Sequence, residues 1–473
     1  MVAPSGILAR IDGPLVILGY GSIGRGVLPL IERHIDFDRD NCTVLSATDQ
    51  HAAQLVAHGV KHLCQPLTPE NHETVLRGLF PQGGGMLVNL SVDVESLALM
   101  RLCHQMGTLY IDTVIEPWPG LYFGSHLPNV QRTNYRLREG FRALGRELGP
   151  GPTAVTCCGA NPGMISWLLK EALLILAKDL GRPAAPQSQA DWARLAMDLG
   201  VKGLHVAERD TQVSARPKPL GTFVNTWSVD GFLSEAYQPA EIGWGTHEKT
   251  LPPRGHRFDF GPRSAIWIDR PGCETRVRSW VPEIGGQFGL VVTHAEALSI
   301  SDFYTVRDGD TAIYRPTCHY AYHPCNDAIL SIQETSGAGI LPRARHILDP
   351  AEIVSGRDDL GVLLYGHARG AMWYGSRLSI EETRALAPEQ NATGLQVTSA
   401  VLAGMVWALE NPRMGLVEPD QMDHARCLAI QRPYLGRVEA HYTDWTPLAH
   451  RINHFAETVD RSDPWQFTNF LVD

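Results

Sequence analysis

The stretch that most constrains this chain is the run at 15–24, Leu-Val-Ile-Leu-Gly-Tyr-Gly-Ser-Ile-Gly. A short apolar segment ends at Gly19, and Gly21 and Gly24 complete a G-x-G-x-x-G pattern before a helical pattern at 27–31. Strand, glycine turn and helix start come in the order a dinucleotide site needs. Gly19 permits the tight turn, Gly21 lets backbone approach a pyrophosphate, and Gly24 lets the helix pack on the strand. Ser22 and Ile23 open the helix, whose free N–H groups would receive the diphosphate. A glycine turn that only redirects the chain is the competing reading. The flanking strand and helix patterns favour the nucleotide.

The remaining chain fits around such a unit. At 473 residues it exceeds one ordinary core and calls for two or three domains. Strand patterns at 15–18, 43–47, 86–90, 109–112 and 154–157 alternate with helical patterns near 25–34, 50–58, 70–79, 94–106 and 134–148, as in a mostly parallel sheet covered on both faces. Residues 203–380 instead carry short β-branched and aromatic runs, including 204–207, 223–229, 275–281, 289–293 and 361–364. A helical pattern returns at 392–410. The expected class is α/β: an N-terminal Rossmann-type dinucleotide-binding domain with a second mixed α/β (α+β) catalytic domain. The expected division is 1–162 for nucleotide binding, completed by 392–430, then 163–391 for substrate, catalysis and dimerisation, then a packed extension at 431–473.

Composition narrows the class further. A net charge of −10 gives no general attraction to nucleic acid and suits a cationic small substrate. Nine cysteines without a C-x-x-C pair read as reduced thiols of a cytoplasmic protein. No basic N-terminal region precedes a long apolar segment. The most apolar helix pattern noted, 165–177, contains Lys170 and Glu171 and is too short to span a bilayer, so no membrane partner is expected.

In an open parallel sheet, ligands lie at the carboxyl ends of the strands. That rule selects Asn89, Ser91 and Asp93 after one strand, Asp112, Thr113 and Glu116 after the next, and Asn161 after 154–157. Helix capping competes for Ser91, Asp93 and Asn161. Asp49, somewhat late after the second strand, is either the ribose-binding acid or a turn residue. No basic residue beside it suits a 2′-phosphate, which favours NAD. In the second domain, Glu208, Asp210, Asp230 and Glu235 accompany Trp227, Phe232, Tyr237 and Trp244. An ammonium can bond a carboxylate while resting on an indole face, although surface acids and core tryptophans are the ordinary alternative. His294, His319 and His323 are proton-transfer or structural candidates. The spacing of Cys318, His319, His323 and Cys325 matches no strong zinc pattern, so no metal is expected.

Read together, these residues resemble the bacterial homospermidine synthase family, related in fold to saccharopine dehydrogenases and carboxynorspermidine synthase. The matching strings are 19–26, 89–93, 110–118, 161–164 and 314–324, and the likeness runs nearly end to end. The resemblance implies a homodimer with bound NAD that joins two putrescines, or related diamines, and releases ammonia through imines. Hydride is borrowed and returned, so the overall reaction is a transfer. It also implies roles: Glu208 and Glu235 for ammonium groups, Trp227 for a cation, Asp93 and Glu116 for the far amine, Asn161 beside nicotinamide and substrate, and His294 for proton exchange. The runner-up is a saccharopine or carboxynorspermidine dehydrogenase-like oxidoreductase, which would need a positive group for a substrate carboxylate.

Overall fold

The structure, a computed structural model, describes residues 6–123, 126–451 and 458–472. Residues 1–5, part of the N-terminal stretch read above, lie outside the described residues, as do 452–457 and 473 of the expected C-terminal extension.

The first half builds a parallel sheet from β1 (Leu15–Leu18), β2 (Cys42–Ser46), β3 (Lys61–Cys64), β4 (Met86–Asn89), β5 (Leu109–Asp112) and β6 (Ala154–Val155). The order is β6-β5-β4-β1-β2-β3, with the late strand Leu416–Val417 added beside β6, and every pairing is parallel. Strand order reverses between β1 and β4, so their carboxyl ends splay apart into a crevice. β1, β4 and β5 are buried on both faces, which is why they read as continuous apolar runs. β3 and Leu416–Val417 were not anticipated. They are edge strands, and β3 is only half-buried, so neither carries the apolar signature of a central strand.

Helix α1 (Ser22–His34) follows the glycine turn, α2 (Asn134–Leu148) precedes β6, and α3 (Met164–Asp179) leads into the second half. There an eleven-stranded mixed sheet is built around β7 (Gly203–Asp210), which pairs in parallel with β8 (Thr317–His323) and antiparallel with β9 (Arg357–His367). Side chains alternate across β7. Val206 joins the helix-covered core, while Ala207 faces the C-terminal aromatics Trp465, Phe467 and Phe470.

Two expected strands are shorter than their patterns. The run at 223–229 ends as a strand at Asn225, because Ser228 caps the helix α4 (Val229–Ala236) through its hydroxyl. The run at 289–293 is strand only to Leu290, and His294 is the N-cap of α5 (Ala295–Phe303). Helix α6 (Ala392–Glu410) has a mean hydropathy of 1.4 in its most apolar window, of which 83% is buried. It packs on α1, on β5 and β6 of the first sheet and on β9 of the second, so it is a core helix shared by both sheets.

Candidate active site

At the end of β1, Gly19 has φ of +92°, and a Cβ there would stand 2.7 Å from the Leu90 carbonyl oxygen. A Cβ on Gly24 would fall 2.4 Å from the Gly19 carbonyl oxygen, whereas one on Gly21 would meet nothing within 4 Å. Two glycines are thus required by the protein itself. The third leaves bare backbone facing open space, at the start of a helix whose first N–H groups point outward.

That space is a crevice of about 580 Å³ lined by the glycine turn, Ser22 and Ile23, by Thr48, Gln50 and His51 after β2, by Ser91 and Asp93 after β4, and by Ser228 and Asp230 of the second domain. Among the described residues, no Lys or Arg lines this crevice to meet a 2′-phosphate directly. The residues present fit an unphosphorylated dinucleotide.

Several expected cofactor contacts stand elsewhere. Asp49 is exposed and outside the crevice lining, although Thr48 and Gln50 line it. Asn89 and Asp112 are buried and turned inward. The Asn89 amide bonds the Tyr110 hydroxyl at 3.1 Å and receives the Ser91 hydroxyl at 2.6 Å. Asp112 accepts the Tyr110 hydroxyl, the Thr156 hydroxyl and the Cys157 N–H, each at 2.8 Å. Both residues brace the strand ends that shape the crevice. Thr113 is half-buried beside Gly159. Neither Ser91 nor Asp93 caps the following helix, whose N-cap is Glu95.

Beyond the crevice the two domains meet at a group of acids. The turn at 159–163 is closed by hydrogen bonds from Gly159 N–H to the Pro162 carbonyl and from Met164 N–H to the Gly159 carbonyl. It projects Asn161, whose amide donates to Glu208 Oε2 at 2.9 Å. The N-cap of α3 is Gly163 without a side-chain bond, so Asn161 is not a cap. Glu208, only 2% exposed on β7, also accepts the Tyr320 hydroxyl, and burial raises its proton affinity above the ordinary carboxyl value.

Tyr320 stacks on Tyr322 and lies against the His294 ring. His294 stands between two carboxylates, 3.0 Å from Glu235 and 3.3 Å from Glu296. Burial opposes its charge, but the two acids outweigh burial and lift its pKa to about 10. Glu116 is 4% exposed, and burial first, then the charges of Glu235 and Asp93, push it up to about 8. Trp227 is half-buried and donates its indole N–H to the Tyr322 hydroxyl at 3.0 Å. It also shares a cavity wall with Ser22 and Ile23 of the glycine turn.

Of the acids and aromatics singled out in the second domain, the structure gathers Glu208, Trp227, Phe232 and Glu235. Asp230 lies at the crevice and pairs with Arg345 at 2.7 Å. Trp244 is on the other face of the sheet, packed on Phe467, and Tyr237 is half-buried against the main core. His319 and His323 each lie within hydrogen-bond reach of a backbone carbonyl, of Tyr320 and Phe288 respectively. Both are held low by burial, as structural histidines are.

Sequence reasoning missed Tyr320, Tyr322 and Glu296. A signal existed for the tyrosines. At 320 and 322 they alternate with His319 and Ala321, so one strand presents both phenols on one face. Glu296 lies only two residues past His294.

A glycine-cradled crevice on a parallel sheet, joined to a mixed sheet that supplies buried acids, defines a two-domain protein of the saccharopine dehydrogenase type. Residues 15–155 match the saccharopine dehydrogenase NADP-binding domain, and residues 159–444 match the saccharopine dehydrogenase C-terminal domain. The chain is 57% identical over 467 residues to a homospermidine synthase of Blastochloris viridis, covering 98% of each. It is 55% identical over 473 residues to one of Mesorhizobium japonicum, again covering 98% of each. The crystal structure of the Legionella pneumophila homospermidine synthase in complex with NAD superimposes with a TM-score of 0.91 at 44% identity, over 98% of both chains. This chain belongs to the homospermidine synthase family.

Proposed function

We propose that the protein joins two molecules of putrescine, or of a closely related diamine, into homospermidine with release of ammonia, using NAD. The observation that carries this reading is the acid group between the crevice and the second sheet. Among the described residues, neither Lys nor Arg pairs with Glu208, Glu235, Glu116 or Asp93. Glu208 and Glu116 are buried without a Lys or Arg partner, Glu235 has only the His294 ring beside it, and Asp93 opens to the crevice, so a diammonium chain can meet a carboxylate at both ends. A dehydrogenase acting on amino acids would need a cation for the substrate carboxylate, which these acids do not provide.

Gly19, Gly21, Ser22, Ile23 and Gly24 would hold the pyrophosphate, with Ser91 at the nicotinamide side. Bound there, NAD supplies reversible hydride transfer at a carbon bearing nitrogen. The protein's residues do the rest. Glu208, steadied by the Asn161 amide, binds the amine of the reacting carbon. With its raised proton affinity it takes a proton from that amine, so that nitrogen has a free lone pair. Glu116 and Asp93 hold the far amine. Glu235 orients the second amine, and the Trp227 indole face shelters positive charge as it passes. His294, kept as an imidazolium by Glu235 and Glu296, has a proton at Nε2 to give to departing ammonia. Tyr320, packed on the His294 ring, keeps water from that side.

The same reading takes 1–162 with 392–430 as the nucleotide domain, 163–391 as the catalytic and dimerisation domain and 431–473 as an extension. It makes the protein a cytoplasmic homodimer, which sedimentation would register as twice the 52.1 kDa chain.

Incubation with putrescine and a trace of NAD is the direct test. Homospermidine and ammonia in equal amounts are expected. Sustained NADH without homospermidine would instead identify a dehydrogenase. Glu208→Gln and Glu235→Gln should each lower kcat/KM by about a hundredfold, since each removes a charge that meets an ammonium in a dry site.

A further inference from the structure

Behind Glu208 lie two carboxyls that the chemistry above does not use. Asp210 on β7 and Asp358 on β9 are direct partners in the antiparallel pairing, at 1% and 0% exposure. Asp210 Oδ1 accepts the Gln212 backbone N–H at 2.8 Å and its side-chain amide at 3.1 Å. Asp210 Oδ2 accepts the Thr226 hydroxyl at 2.7 Å. Asp358 Oδ2 accepts the Thr393 hydroxyl at 2.6 Å, and the Gln212 amide reaches the same Thr393 oxygen at 3.1 Å. Among the described residues, Asp358 Oδ1 has no hydrogen-bond partner. Burial first, then the charges of Glu208 and Asp210, raises the proton affinity of Asp358, and Gln212 and Thr393 link the two carboxyls into one hydrogen-bonded group.

What this unit grips is one residue away from the indole at the acid pocket. Thr226 is held by its hydroxyl on Asp210 and by its backbone carbonyl, which accepts the Asn391 amide at 2.6 Å. On the other side of Trp227, the Ser228 hydroxyl caps α4, the helix that carries Glu235. Trp227 itself lies in the irregular turn between the strand Thr222–Asn225 and α4, where no ladder of backbone bonds fixes it. Its only other polar anchor among the described residues is the Tyr322 hydroxyl.

We propose that the Asp210–Asp358 pair, acting through Thr226, is a positioning device that sets the Trp227 indole between the nucleotide crevice and the diamine pocket. The proposal rests on the function assigned above, in which Trp227 meets substrate charge. Asp210 and Asp358 do not touch substrate. They hold the turn so that the indole is already in place when a diamine arrives, which spares the cost of ordering it during turnover.

A double-mutant cycle on the NAD-loaded enzyme tests this. Thr226→Val keeps the shape and removes the hydroxyl, and Trp227→Phe removes the indole. Expected for T226V is roughly a tenfold fall in kcat/KM for putrescine, with bound NAD unchanged. Thr226→Ser, which keeps the hydroxyl, should restore the rate. The T226V/W227F double variant should be no slower than W227F alone. The proposal is overturned while the function stands if W227F is impaired and T226V is not, or if the two losses multiply. If W227F itself turns over like the parent, the role of Trp227 falls and this proposal falls with it. If T226V and Thr226→Ala both lose NAD or melt early and T226S does not rescue them, Thr226 is merely structural and the proposal is wrong.

Discussion

At the scale of single residues, the protein buries acids whose charge it does not neutralise itself. Glu116 shows the consequence. Its carboxyl keeps a proton up to about pH 8 in the folded chain but releases it near 4.5 when exposed. Between those values the folded state binds more protons than the unfolded state, so the contribution of Glu116 to stability falls as pH rises. Glu116→Gln, neutral at every pH, should therefore narrow the gap between thermal midpoints measured at pH 5.5 and pH 8.5 by a few degrees. An unchanged gap would mean that Glu116 is ionised throughout. The acids most useful to this argument were legible by type but not by partner. Glu208 and Tyr320 are 112 positions apart, and only the pairing of β7 with β8 brings them together. Asn89 and Asp112 illustrate the opposite. Their place at strand ends was evident, yet nothing local says whether a side chain there faces the ligand or folds back on Tyr110.

At the scale of elements, the glycine turn separates two demands that its sequence pattern runs together. Gly24 packs against the Gly19 carbonyl, while Gly21 faces open space. Gly24→Ala should lower both the thermal midpoint and NAD affinity, because backbone on backbone has nowhere to yield. Gly21→Ala should keep the apo midpoint within a degree or two and weaken NAD alone, by about tenfold or more. Calorimetry of apo protein with a nucleotide titration distinguishes the two. Equal damage to apo stability from both variants would remove the idea that Gly21 is spared for a ligand. Central strands of this domain were readable from their apolar runs. The edge strands β3 and Leu416–Val417 were not, since one solvent-facing side dilutes the pattern. In the second domain the pairing order β8-β7-β9 joins segments more than a hundred residues apart, and no sequence period encodes such a partnership.

At the scale of the whole molecule, the acid pocket exists only because both sheets are held in one arrangement. Helix α6 does part of this through apolar packing on both. Arg138 of α2 does another part. Its guanidinium forks onto Glu418 at 2.6 and 2.8 Å and also reaches Asp302 of α5 at 3.1 Å. Arg138→Met would strand Glu418 against the junction, while Asp302 keeps Arg142 at 2.9 Å. Glu418 retains some access to water, so the expected loss is about 3 kcal/mol, the lower end for a broken buried pair, read as a lower urea midpoint. A midpoint equal to that of the parent would show that the junction does not depend on this ion pair.

The central claim is that hydride leaves one amine-bearing carbon and returns to the product beside the same group of acids. Putrescine deuterated at both amine-bearing carbons, turned over with a trace of NAD and read by mass spectrometry, tests it most directly. The account predicts homospermidine that keeps every deuterium, one ammonia for each molecule formed, and no accumulating NADH. Homospermidine that has lost deuterium, or NADH that grows with turnover, would contradict it.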